Sequence, residues 1–147
     1  MVLTNPIRLT LYRPVDIREL RLVCESQMKA FPPRLPGQPI FYPVLNCQYA
    51  SEITQQWNVT GPTGSGYVTR FEVDGDYVEQ FKIQHLGAHH QELWIPALEL
   101  DQFNKHLISP IEVTRRISRR ISSGSFRPAL VSREKMPLIS FCRSRTP

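Results

Sequence analysis

The stretch YVTRFEVDGDYVEQFKI, residues 67–83, decides the fold class. Tyr67, Thr69, Phe71 and Val73 alternate with Val68, Arg70 and Glu72, the period of two expected where one face of a strand meets a core. A second β-rich run follows. Asp74-Gly75 between the two runs is a hairpin signal, because glycine tolerates the positive φ that tight hairpin turns demand. The reading predicts an antiparallel hairpin here, preceded by a flexible GPTGSG loop at 61–66.

Upstream, IRLTLYR repeats the alternation, with Ile7, Leu9 and Leu11 on one face. Arg13 falls on that apolar parity at the strand's end, where a cation must reach a partner or a cleft, since burying it unpaired is too costly. PVDIRELRLVCESQM predicts a helix: Asp16 caps, Glu19 stands three residues later as in a capping box, and Val15 can staple onto Leu20. Ile17, Leu20, Cys24 and Met28 form its apolar stripe. Pro32, Pro33, Pro36 and Pro39 make AFPPRLPGQP a stiff connection that is neither helix nor central strand. IFYPVLN reads as a short buried strand. Asn46 then caps a helix, CQYASEITQQW, in which Tyr49, Ala50, Ile53 and Trp57 share a face.

Downstream, QHLGAHH is a loop, QELWIP a strand, ALELDQFNKHL a helix with Leu100, Phe103 and Leu107 inward, and IEV a last strand. Strands dominate the second half and two helices precede the hairpin, so the class is α+β. At 147 residues, 41% hydrophobic and 21% charged, the chain is sized for one ordinary core. No apolar run approaches the length of a membrane span and no signal-peptide core is present, so no membrane partner is expected. Cys24, Cys47 and Cys142 are odd in number and lack a C-x-x-C spacing, which argues against a disulfide framework and suits a cytoplasmic setting. Asn58-Val59-Thr60 matches a glycosylation acceptor by chance.

The net charge of +5 is unevenly distributed. Residues 1–114 hold 9 Lys+Arg and 12 Asp+Glu, whereas 115–147 hold 9 Lys+Arg and only Glu134. The expected organisation is a domain over 1–114 and a basic tail, disordered or loosely docked, over 115–147. Such a tail can reach nucleic acid or an acidic partner.

In order, the segments LYRPV, FPPRLPGQPIFYPVLN, QYA, VTRFEV and QELWIPALELDQFN resemble a family of small bacterial proteins that carries an ADP-ribosylation/crystallin label. The likeness covers about residues 9–113. More distantly the layout resembles the ADP-ribosyltransferase fold of DNA- and RNA-modifying transferases and of poly-ADP-ribose polymerase catalytic domains. The crystallin half of the label points to large all-helical hydrolases that use magnesium, and this chain is too short and too strand-rich for them. The transferase half implies a split antiparallel β-sheet core with two to three short helices, gripping NAD as substrate. It implies that Arg13, ending the first strand, holds the dinucleotide. Phe41 or Tyr42, and then Tyr49, would frame the nicotinamide, and Glu92 would be the catalytic acid.

That chemistry needs these groups. Cleaving the bond to nicotinamide builds positive charge on the ribose, and a carboxylate aimed there stabilises charge that exists only near the transition state. Aromatic faces suit the ring, and an arginine suits phosphates. The loop residues His89, His90 and Gln91 are candidates for contact with the acceptor, as are Arg70 and Arg34. Tyr49 on its apolar stripe reads equally as core. His85, His89 and His90 are near in sequence, but zinc wants three or four ligands in fixed geometry and H-E-x-x-H is absent, so no metal is expected. Two departures stand out: His90 occupies the place two before the acid where protein-modifying transferases carry Gln or Glu, and no Ser-Thr-Ser motif occurs. The expected activity is mono-ADP-ribosyl transfer to an unknown macromolecular acceptor, with a neutralising protein partner if the chain is a toxin. The alternative is a catalytically inactive transferase-like binding or regulatory module.

Overall fold

The computed structural model describes Asn5 and residues 7–119; the expectations for residues 120–147 lie outside the described residues. In chain order the elements are β1 (Arg8–Val15), α1 (Ile17–Glu25), β2 (Ile40–Phe41), α2 (Cys47–Ile53), β3 (Ser65–Asp74), α3 (Gly75–Val78), β4 (Ile83–His85), β5 (Gln91–Leu93), β6 (Ile95–Pro96), α4 (Leu100–Lys105) and β7 (Glu112–Ser118). A π-helical turn, Thr54–Asn58, extends α2, and a 3-10 turn, Ala97–Glu99, leads into α4. The class is α+β with small antiparallel sheets. Among the described residues no helix is long and apolar enough to cross a membrane.

The central sheet has the order β1-β3-β7, antiparallel throughout. Alternation along β1 buries Leu11, Arg13 and Val15, the parity read from the sequence. Their face meets Phe71 and Val73 of β3 and an aromatic cluster in which Phe31, Phe41, Phe71 and Phe103 lie with centroids 4.9 to 6.0 Å apart. Tilted and edge-on rings at this spacing pair the positive edge of one with the negative face of the next. Helix α1 lays Leu20, Val23 and Cys24 on this core. It ends at Glu25, because Gln27 and Met28 take φ of 64° and 61°, so the stripe expected to reach Met28 stops a turn short. Met28 still packs against the core from its turn.

The hairpin expected at Asp74-Gly75 does not form. The Asp74 carboxylate accepts from the Asp76 N–H at 3.0 Å and caps α3, so the chain turns into a helix where a two-residue loop was expected. Gly75 is not at positive φ, so the turn geometry that would fold the second run back onto β3 is absent. Of that run, Tyr77 and Val78 fall in α3 and only Ile83 enters β4, which continues through Gln84 and His85 of the expected loop and pairs with β5, Gln84 opposite Glu92. β3 receives β1 and β7 as its two neighbours.

β7 runs beyond the boundary expected at 114. Arg115, Arg116 and Ile117 pair with Val68, Tyr67 and Gly66, Ile117 is buried, and the Arg119 side chain holds the carbonyls of Val59 and Gly61. The body therefore reaches past 114 to take in Arg115, Arg116 and Arg119.

The segment around Val44 carries the sheet toward the site. Val44 exchanges backbone hydrogen bonds with Tyr12 at 2.8 and 2.9 Å and forms a bridge with Glu92. Leu93 N–H donates to Pro43 O, and Leu45 N–H to Gln91 O. Pairing on this side of β1 stops at Tyr12.

Candidate functional site

Where that pairing stops, a cleft of about 590 Å³ opens, a size within the range of small-molecule sites. β1 supplies Arg13 and Pro14, the α1 cap and helix supply Asp16 and Glu19, and the proline-rich connection supplies Arg34 and Gln38. Tyr42, then Tyr49 and Ile53 of α2, Trp57 and Asn58 of the π-helical turn, and Glu92 of β5 complete it. Arg13, Arg34, Tyr42, Tyr49 and Glu92, which lie 79 positions apart in the sequence at the extremes, thus line one cavity.

Glu92 is 8% exposed, and both carboxylate oxygens accept hydrogen bonds from neutral donors. Tyr49 Oη donates to Oε1 at 2.5 Å and Trp94 Nε1 to Oε2 at 2.9 Å. Among the described residues no cation forms an ion pair with it. With no counter-charge among the described residues, these two hydrogen bonds are what offset the cost of burying the carboxylate in the cleft. Burial first, and then the bond to Glu92, push the Tyr49 hydroxyl well above its ordinary value, so it stays a donor.

Local sequence explains the posture of Tyr49. Asn46 caps α2 by accepting from the Tyr49 N–H at 2.7 Å, and its Nδ2 donates to His89 O at 2.5 Å, tying the helix start to the loop before β5. His90 stacks on the Tyr49 ring at 4.3 Å with an interplanar angle of 16° and bonds to Glu52 at 3.0 Å. One face of the Tyr49 ring is therefore covered by the protein itself.

Arg13 is 6% exposed. Its Nε and Nη2 donate to the two oxygens of Glu19 at 2.7 and 3.1 Å, and its guanidinium lies 4.5 Å over the Phe41 ring. The expected capping box is thus half used: Asp16 accepts from the Glu19 N–H, while the Glu19 carboxylate turns to Arg13.

The other candidates fall elsewhere. Phe41 is wholly buried in the aromatic core and touches the site only through Arg13, so of the two neighbouring aromatics Tyr42 is the one in the cleft. Arg70 pairs with Glu72 and Glu112 and does not line the cleft. His89 is exposed in the loop, and the Gln91 side chain bonds to His85. Among the described residues no three His, Cys, Asp or Glu side chains gather as a metal site.

Two participants were not singled out from the sequence. Trp94 was legible in principle, because two residues along a strand point to one face, which sets its indole beside Glu92. Glu19 was read only as part of a cap. Trp57 was expected on the apolar face of α2 but is 72% exposed. The π turn, closed by Val59 N–H to Thr54 O at 3.0 Å, adds a residue and rotates Trp57 off the stripe.

No family model, curated protein or solved structure matches this chain.

Proposed function

We propose that the protein is a NAD-consuming mono-ADP-ribosyltransferase of the ADP-ribosyltransferase fold, with Glu92 as its catalytic acid residue and a macromolecular acceptor. The observation that supports this most is Glu92 itself: a buried, hydrogen-bonded carboxylate without an ion-pair partner among the described residues, in a cleft that Arg13 and Arg34 also line. In this reaction the bond between ribose C1′ and the nicotinamide nitrogen breaks, and its electron pair leaves with a now neutral nicotinamide. Positive charge gathers on the ribose, where the Glu92 carboxylate stabilises it; the acceptor's lone pair then forms the new bond to C1′ and the acceptor proton is released. Tyr49 and Trp94 act by fixing both oxygens of the carboxylate before the charge develops. The small bacterial family named above fits this reading.

Incubating the full chain with NAD and following nicotinamide release tests it. Glu92→Gln keeps the shape of the side chain but removes its charge and one of the two acceptors that Tyr49 and Trp94 use, and is expected to lower turnover by about 10²–10³-fold. Activity that survives the substitution would defeat the proposal.

A second reading, a transferase-like module that binds without turnover, is favoured by the Arg13–Glu19 pair, which occupies the arginine that the family would use on the dinucleotide. Calorimetric titration with NAD separates the two: heat of binding without nicotinamide release selects the module. Nucleic acid as acceptor is favoured by the exposed Arg116 and by the basic composition of residues 115–147, and predicts binding that weakens steeply with salt.

A further inference from the structure

We infer that Arg34, rather than Arg13, receives the anionic centre of a dinucleotide-type ligand, and that a second, proline-lined cavity beyond Arg34 receives the ligand's far half. The inference rests on the transferase reading of Glu92 and assigns the rest of that ligand.

The two arginines differ in what they have left to give. Arg13 has committed the edge that suits bidentate recognition to both oxygens of Glu19 and covers its face with Phe41. Arg34 uses only Nε, which donates to Ile40 O at 3.1 Å. Among the described residues neither of its terminal amino groups has a hydrogen-bond partner, and no carboxylate forms an ion pair with it. The Ile40 bond fixes the direction of the guanidinium and leaves its outer fork open, an arrangement suited to two phosphate oxygens.

The charge count at this end agrees. Arg13 and Arg34 share one nearby carboxylate, Glu19. Asp16, the other acid here, gives Oδ2 to Arg18 and Oδ1 to the Glu19 N–H. Burial first, and then the charge of Arg13, work against the proton on Arg34, while Glu19 favours it. Glu92 lines the first cavity but not the second, whereas Arg34 lines both, so the carboxylate lies on the side away from the second cavity. A cleft polarised in this way favours a ligand with an anion at one end and a developing cation at the other.

The cavity does not stop at Arg34. A second one of about 390 Å³ shares Asp16, Glu19, Arg34 and Gln38 with the first. Beyond the shared residues its walls are chiefly Leu22, Pro32, Pro33 and Leu35, which offer apolar surface for a flat ring. Leu35 is 67% and Leu22 48% exposed, so apolar area remains for a ligand to cover. The prolines fix φ, which lowers the entropy lost on ordering this wall around a ligand.

Titrations of the full chain with NAD, ADP, nicotinamide mononucleotide and nicotinamide riboside decide the matter. Arg34→Gln is expected to weaken NAD and ADP about 10- to 100-fold while nicotinamide riboside binds as before. Arg34→Lys should fall between the two. NAD should bind the unaltered chain more tightly than the mononucleotide, and equal affinities would overturn the far cavity. ADP binding unchanged in Arg34→Gln would overturn the role of Arg34, while Glu92-dependent nicotinamide release would still stand. Conversely, ADP binding lost in Arg34→Gln from a chain that never releases nicotinamide keeps the anion site and removes the transferase. A measurement on the unaltered chain guards against a folding defect: inorganic pyrophosphate should displace NAD, and failure to compete overturns the inference.

Discussion

Every residue of β1 from Arg8 to Val15 has a partner in β3, whereas the wall that carries Glu92 joins the same strand through one bridge, Tyr12 to Val44. The sheet side is held by apolar packing, with Leu11, Phe71 and Phe103 wholly buried. The cleft side has a smaller apolar cluster around Val44, Ala50 and Val68, and the side chains of its site are placed by single polar contacts: Asn46 to His89, Tyr49 and Trp94 to Glu92, His90 to Glu52. Packing energy is large and tolerant of direction, while a hydrogen bond is small in net terms and strict in geometry. The aromatic core therefore carries more of the stability and the polar contacts of the site more of the orientation, and substitutions in the two should separate accordingly.

The largest effect is expected in the sheet. Phe71→Ala empties the centre of the aromatic cluster, where Phe71 meets Phe31 and Phe103, and should cost about 3–5 kcal/mol in unfolding free energy by denaturant titration. A cost as small as that of a cleft substitution would erase the contrast.

Next comes the seam between the regions. Gly66 lies in β3 against the π-helical turn, and a Cβ there would run into Asn58 Cβ and come within 2.5 Å of Thr54 Cγ2. Both obstacles sit near the backbone and cannot swing away. Gly66→Ala should destabilise by about 1–3 kcal/mol and, because Trp57 and Asn58 line the cleft, should also weaken ligand binding. Loss of stability with unchanged binding would show that the turn does not shape the cleft.

The same contrast explains what was legible in the sequence. β1 and β3 could be read because alternation is a local property, and the buried parity of Arg13 followed from it. The Asp74-Gly75 turn misled because one dipeptide serves two ends: Asp74 as a turn residue and Asp74 as a helix cap look alike until α3 competes for the carboxylate. The partners of β4 and β5 were not legible, since three-residue strands take their pairing from tertiary contacts. The order of the motifs along the chain indicated Arg13, Tyr49 and Glu92, but the hydroxyl of Tyr49 reaching Glu92, and Glu19 reaching Arg13, depend on side-chain directions that no spacing fixes. Arg34 was visible only as a cation among prolines; its open fork appears once Ile40 is seen to hold it.

A smaller effect isolates the tether of the cleft wall. Asn46→Ala removes both the cap on Tyr49 N–H and the bond to His89 O, for an expected loss of about 1–2 kcal/mol. Asn46→Asp restores the cap but not the donor. If the tether to the β5 loop matters for the site, the Asp variant should recover most of the thermal stability while nicotinamide release stays low. Recovery of both would make the cap the whole contribution.

The smallest effect concerns the hydroxyl that touches Glu92. Tyr49→Phe deletes one donor and should cost about 1 kcal/mol or less at neutral pH. Its signature is the pH dependence. The Tyr49 hydroxyl holds its proton more tightly in the folded chain than the ordinary tyrosine value of 10.0. The unfolded chain therefore releases that proton first as pH rises through about 10, and the folded state loses stability from there upward. Below that pH both states are protonated and the contribution is complete. Phenylalanine cannot titrate, so the stability of Tyr49→Phe should fall less between pH 8 and pH 11 than that of the parent chain. Tyr77, whose hydroxyl is also raised by burial, is present in both proteins and cancels in the comparison. Parallel alkaline losses in the two proteins would mean that Tyr49 is not held protonated against Glu92, and the carboxylate would then lack the fixed donor on which its orientation in the cleft depends.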